Sequence, residues 1–149
     1  MENRTRPVGR ALLMLILVVT MTGCAISRHV VPVDSNAQIE KIYVLHNERV
    51  HMEGINQALV DIFQSLGFES ELYHGDRPVG ALHTFTFTAN WTWDMAMYLT
   101  YFRGTLLEDG RVIGEIEYDA RSGGSNMSKF GSTESKIEPL IVEMLERVR

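Results

Sequence analysis

Few side chains in this 149-residue chain are of a type that does chemistry, and their spacing narrows what they could do. Cys24 is the only thiol, a nucleophile where serine or alanine would not serve. A lone cysteine has no internal disulfide partner, so its use must be another one. The histidines fall at His29, His46, His51, His74 and His83, with no pair at an i, i+3 or i+4 spacing. A zinc site would need the fold to gather them. Glu115, Glu117 and Asp119 alternate along an expected strand, where carboxylates on one face could hold a cation or form an acid/base pair. A solvated face is the plainer reading. The stretch RSGGSNMSKFGS, residues 121–132, places Arg121, Asn126 and Lys129 ahead of a helix, a set able to recognise a phosphate or carboxylate. Its spacing departs from the phosphate-loop pattern G-x-x-x-x-G-K-[ST], and G-x-S-x-G is absent. No catalytic motif, cofactor or metal is therefore expected.

The residues before Cys24 explain its placement. Arg4, Arg6 and Arg10 give a basic start, Ala11 to Val19 an apolar run, and small residues follow near Gly23. This is the layout of a secretory signal, with an apolar run too short to span a bilayer comfortably. Met21-Thr22-Gly23-Cys24 resembles a bacterial lipobox. That resemblance implies removal of residues 1–23 as a signal peptide and attachment of diacylglycerol to the Cys24 thiol. The new amino terminus would be acylated too, palmitate being the usual chain. Each buried methylene contributes about 0.8 kcal/mol, so several long chains make a lasting anchor. Ala25, where such lipoproteins carry Asp for inner-membrane retention, implies the outer membrane, facing the periplasm.

Cleavage removes three of 14 basic residues (Arg4, Arg6, Arg10) and one of 19 acidic ones (Glu2). The remaining 11 basic and 18 acidic residues give a formal charge of −7. Such acidity excludes a nucleic-acid partner and a polybasic grip on anionic lipid, leaving attachment to the acyl chains. Residues 24–38 lack periodicity and include Pro32, Asp34, Ser35 and Asn36, which predicts a lipidated flexible tether. Stretched, it would reach roughly 50 Å. Residues 39–149 are the length of one periplasmic domain.

Within that domain Lys41 to His46 is β-rich, and Ile55, Leu59, Ile62, Phe63 and Leu66 mark a helix stopped by Gly67. Phe68 to His74 predicts a second strand. From Thr84 to Trp93, a threonine-rich row alternates with Phe85, Phe87, Ala89, Trp91 and Trp93, giving a strand with one wet and one dry face. Ala96 to Leu107 follows, then a turn at Glu108-Asp109-Gly110-Arg111 and a strand from Val112. The last helix carries Ile137, Leu140, Ile141, Met144, Leu145 and Val148, with Ser135 and Glu138 as a capping-box pair at its start. The order β-α-β-β-β-β-α predicts an α+β two-layer sandwich, a mostly antiparallel sheet with two helices on one face.

One strand resists that scheme. In MYLTYFRG, Met97, Leu99 and Tyr101 share one face and Tyr98, Thr100 and Phe102 the other, while only one can meet the helices. If Arg103 points outward, Met97, Leu99 and Tyr101 form an apolar contact patch, with Trp93 near the turn beside it. A β-bulge that shifts the alternation, or a linker folded over the patch, would remove it.

The segments TANWTWDMAMYLTYF, EDGRVIGEIEYDA and NMSKF, with the final helix, resemble a family of short Gram-negative lipoproteins of unassigned activity. The likeness covers most of residues 40–149 and carries over no functional residue beyond Cys24. The layout is also similar, more loosely, to small α+β lipoproteins that serve envelope assembly or transport. The expectation is a non-enzymatic, lipid-anchored accessory that binds an envelope protein or polymer through its sheet. The alternative is an anion-binding module using residues 121–132. Nothing in the chain indicates an oligomeric state.

Overall fold

The computed structural model describes residues 26–148, so the signal segment, Cys24 and its acylation lie outside the described residues. The helical stripe after Asn47 forms α1 (Ile55–Ser65), burying Ile55, Leu59, Val60, Ile62 and Phe63. It stops at Gly67, whose φ of 94° suits glycine. There the Phe68 N–H donates to Phe63 O and the Gly67 N–H to Gln64 O, the paired bonds of a Schellman ending. The final stripe forms α2 (Glu134–Leu145), burying Ile137, Leu140, Ile141, Met144 and Leu145. No capping box starts it: the Ser135 hydroxyl donates instead to Ser132 O, 2.7 Å away.

Six strands make one sheet: β1 (Ser27–Val31), β2 (Lys41–Leu45), β3 (Glu69–Tyr73), β4 (His83–Asp94), β5 (Ala96–Glu108) and β6 (Arg111–Asp119). Their spatial order is β1-β6-β5-β4-β2-β3. β2 lies parallel to β3 and β4, as the intervening α1 requires, and every other neighbour is antiparallel. β4, β5 and β6 form the expected meander. One sheet face, with Ile42, Val44, Phe85, Phe87, Phe102, Leu106, Ile116 and Tyr118, shares a core with both helices. The α+β two-layer reading holds. Gly104 sits within it because a Cβ there would lie 2.3 Å from the Phe85 ring.

The structure corrects the predicted tether. Ser27 to Val31 pair with Asp119 to Glu115 as an antiparallel edge strand, so residues 27–31 belong to the sheet. Val33 is fully buried, its N–H donating to Met144 O at 2.9 Å. Asp34 then closes a turn by accepting from the Asn36 N–H at 2.8 Å. Of the predicted tether, Cys24 and Ala25 lie outside the described residues. β1 escaped the sequence reading because an edge strand with one neighbour and a largely exposed face shows no alternation.

Candidate functional site

The odd alternation of β5 has a local cause. Asn90 pairs with Tyr101 but Trp91 pairs with Leu99, so Thr100 is an extra residue, a β-bulge. The Thr100 hydroxyl donates to Asn90 O at 2.9 Å, and its carbonyl accepts from the Ala120 N–H at 2.8 Å. Past the bulge the inward parity changes. Leu99 enters the core with Phe102 and is only 1% exposed, so it cannot belong to a contact surface. Tyr101 also leaves the predicted patch: its hydroxyl donates to Glu117 at 3.0 Å and its ring lies under the Arg121 guanidinium. Burial, with that carboxylate, raises the Tyr101 pKa.

What remains of the patch has moved to the hairpin end. Along the dry face, the pair Ala89/Phe102 is buried, Leu99 is buried opposite the half-buried Trp91, and Trp93/Met97 is exposed, Met97 bordering a hollow with Ile55 and Glu134 at the starts of the two helices. Trp91 is anchored by its indole N–H, which donates to the Thr133 hydroxyl at 2.9 Å. Trp93 is 70% exposed, Met97 53% and Met95, at the tip, 80%. Met95 has φ 61°, a left-handed conformation uncommon for a residue with a side chain.

The 121–132 loop braces this hairpin and has no cations to spare. Lys129 is 5% exposed; its ammonium donates to Asp94 at 2.6 Å and Gly124 O at 2.8 Å. It also lies over the Tyr98 and Phe130 rings, and the Asp94 carboxylate raises its pKa. Asn126 caps the 3-10 turn Met127–Lys129, its side-chain oxygen accepting from the Ser128 N–H and hydroxyl. Arg121 is bidentate to Asp119 and holds that carboxyl below its usual range. The predicted anion contacts are thus engaged inside the fold.

The acidic row is likewise satisfied, two of its members across strands and Asp119 by a neighbour in the chain. Arg103 donates to both Glu115 oxygens at 2.9 and 2.8 Å, Tyr101 to Glu117, and Arg121 to Asp119. Among the described residues no three of His, Cys, Asp and Glu gather as a metal site. His46 and His74 stack at 4.4 Å without a further ligand type beside them.

A feature invisible in the sequence lies at the opposite end of the sheet. An open hollow of about 890 Å³ separates the Val33–Glu40 connection from the starts of β2 and β4. His83 and Glu108 line it, with Lys41 and Tyr43. His83 is buried; its Nε2 lies 3.4 Å from Glu108 but makes no hydrogen bond. No local pattern joins His83 to Glu108, because the strand register brings them together from 25 residues apart.

No family model and no curated protein matches this chain. Solved structures do share its fold. One is the PelC dodecamer of Paraburkholderia phytofirmans, 10% identical, with a TM-score of 0.54, covering 84% of this chain and 99% of that one. Another is a point variant of the same protein, also a dodecamer, 11% identical with TM-score 0.54, covering 83% and 96%. At that identity the likeness concerns the fold alone.

Proposed function

We propose that this chain is a non-enzymatic, lipid-anchored lipoprotein of the outer membrane, facing the periplasm as an accessory in envelope assembly. The carrying observation is the position of β1. It begins three residues after Cys24, so acyl chains on that thiol would hold a folded domain directly at the membrane. The lipobox resemblance and the engaged state of the titratable rows support the same reading. Because the fold neighbours are dodecamers, a second copy of the chain is the first partner to seek.

The test is mass spectrometry of the Cys24 peptide from the full chain, with membrane fractionation of Cys24→Ser. A diacylglyceryl mass and more than tenfold transfer of the variant to the soluble fraction are expected. An unmodified Cys24 would overturn the anchor. Native mass spectrometry of the acylated chain in detergent then reads self-association, and a monomer at every concentration would overturn the second-copy partner.

A small-ligand role is the second reading, moved from the 121–132 loop to the hollow by the unpaired His83 Nε2. A ligand there would raise the melting temperature, and Glu108→Gln would abolish that rise. A screen of small polar compounds with no such pair of results would dismiss it.

A further inference from the structure

The exposed apolar end of the β4–β5 hairpin lies where the anchor would meet the membrane. Ser27 pairs with Asp119, Asp119 with Tyr101, and Tyr101 with Asn90, so these four residues form one row across the sheet. The antiparallel pairings make β1 run alongside β5, so the chain leading back from Ser27 towards Cys24 leaves at the hairpin end. From that row β4 continues five residues to Met95, about 17 Å at ~3.3 Å per residue. Cys24 lies three residues before Ser27, at most ~11 Å away. The tip therefore projects at least as far as the lipidated residue can. Three strand spacings, ~14 Å, separate the two laterally.

The chemistry of the tip suits a lipid interface. Trp93 and Met97 are a directly opposed pair, Met95 caps them, and Ala96 adds no polarity. Tryptophan is favoured at the headgroup level of bilayers. Within residues 93–97 the one charge, Asp94, is paired with Lys129. Met127, two residues from Lys129, is exposed as well.

Resting on the lipid anchor proposed above, we infer that Trp93, Met95 and Met97 enter the phospholipid interface of the membrane that holds Cys24. The domain then has two footings on the bilayer, strands run towards the membrane, and the His83–Glu108 hollow faces away.

The full chain, purified from membranes with its acyl groups, is placed in phosphatidylethanolamine/phosphatidylglycerol vesicles with or without brominated acyl chains. Trp91 and Trp93 are the two tryptophans. Bromine should quench the wild-type emission about twofold, and Trp93→Phe, which retains the half-buried Trp91, should lose most of that quenching. Val112→Trp, at an exposed position about 33 Å away along the sheet, should stay unquenched in the Trp93→Phe background. Acylated chain that floats with vesicles but shows no Trp93-dependent quenching overturns the tip contact and leaves the anchor standing. A photo-probe at Met95 that crosslinks to a second copy rather than to lipid overturns it as well. An unmodified Cys24 in a chain that does not float overturns both readings together.

Discussion

The two ends of the sheet are built by opposite rules. At the hairpin end two charged pairs are locked while large apolar side chains stand in solvent: Asp94 holds Lys129, Asp119 holds Arg121, and Trp93 and Met95 are bare. At the other end Leu82 and Val112 are exposed as well, but beside an open hollow where a buried histidine nitrogen goes without a hydrogen bond. Polar groups cost free energy when buried unpaired, and apolar groups when left in water. The hairpin end joins paired charges to bare tryptophan and methionine side chains, a surface suited to the low-dielectric neighbour inferred above. The far end lacks polar satisfaction, the condition of a surface that expects water or a polar ligand.

The sharpest break in that comparison comes from adjacent rungs of one ladder. Leu99→Ala should destabilise the fold by about 2–5 kcal/mol, because it opens a cavity in the shared core, with urea denaturation as the measurement. If Leu99 were a surface residue, the loss would be within about 0.5 kcal/mol.

Unlocking the brace should come next. Lys129→Met leaves Asp94 unpaired and should lower the melting temperature by several degrees, with amide exchange accelerated most across residues 121–132. Lys129 has a pKa raised above 10.5 in the fold, so its contribution is complete below that pH and fades as pH rises through the higher folded value. Exchange protection of the loop should hold across neutral pH and fail only in strong alkali. Loss of protection near pH 7 would show that the pair does not hold the loop.

Trp91→Phe should cost about 1 kcal/mol through the lost bond to Thr133, read in the same urea titration. The smallest effect belongs to the tip: Trp93→Phe and Met97→Ala should shift stability by no more than about 0.5 kcal/mol, while changing what the end of the molecule touches. A large loss from either would mean that the hairpin end is packed and not presented.

Legibility followed the range of the interactions. The period-two row from Thr84 to Trp93 and the stripes of α1 and α2 are properties of neighbouring residues, and they appear where the sequence places them. The bulge at Thr100 does not, since it exists only once β4 has chosen a register; it turns Leu99 and Met97 to the face opposite the expected one, while Tyr101 keeps the outer face with Arg103 and Glu117. β1 is defined by its partner β6 more than by its own residues. Lys129 is legible as a cation, but the Asp94 that occupies it stands 35 residues away, so a loop that looked open is closed. The His83–Glu108 pair offered no signal for the same reason.

The edge position of β1 has a mechanical consequence. Its five residues are hydrogen-bonded to β6 by bonds that run across the strands, and Ser27 is the end of β1 nearer in sequence to Cys24. A pull transmitted from Cys24 would load those bonds sideways and together, as a lap joint is loaded, and could not open them one at a time from the end. Were Cys24 acylated as proposed, tension on it would be shared between β6 and α2, whose Met144 O accepts from the Val33 N–H just beyond β1.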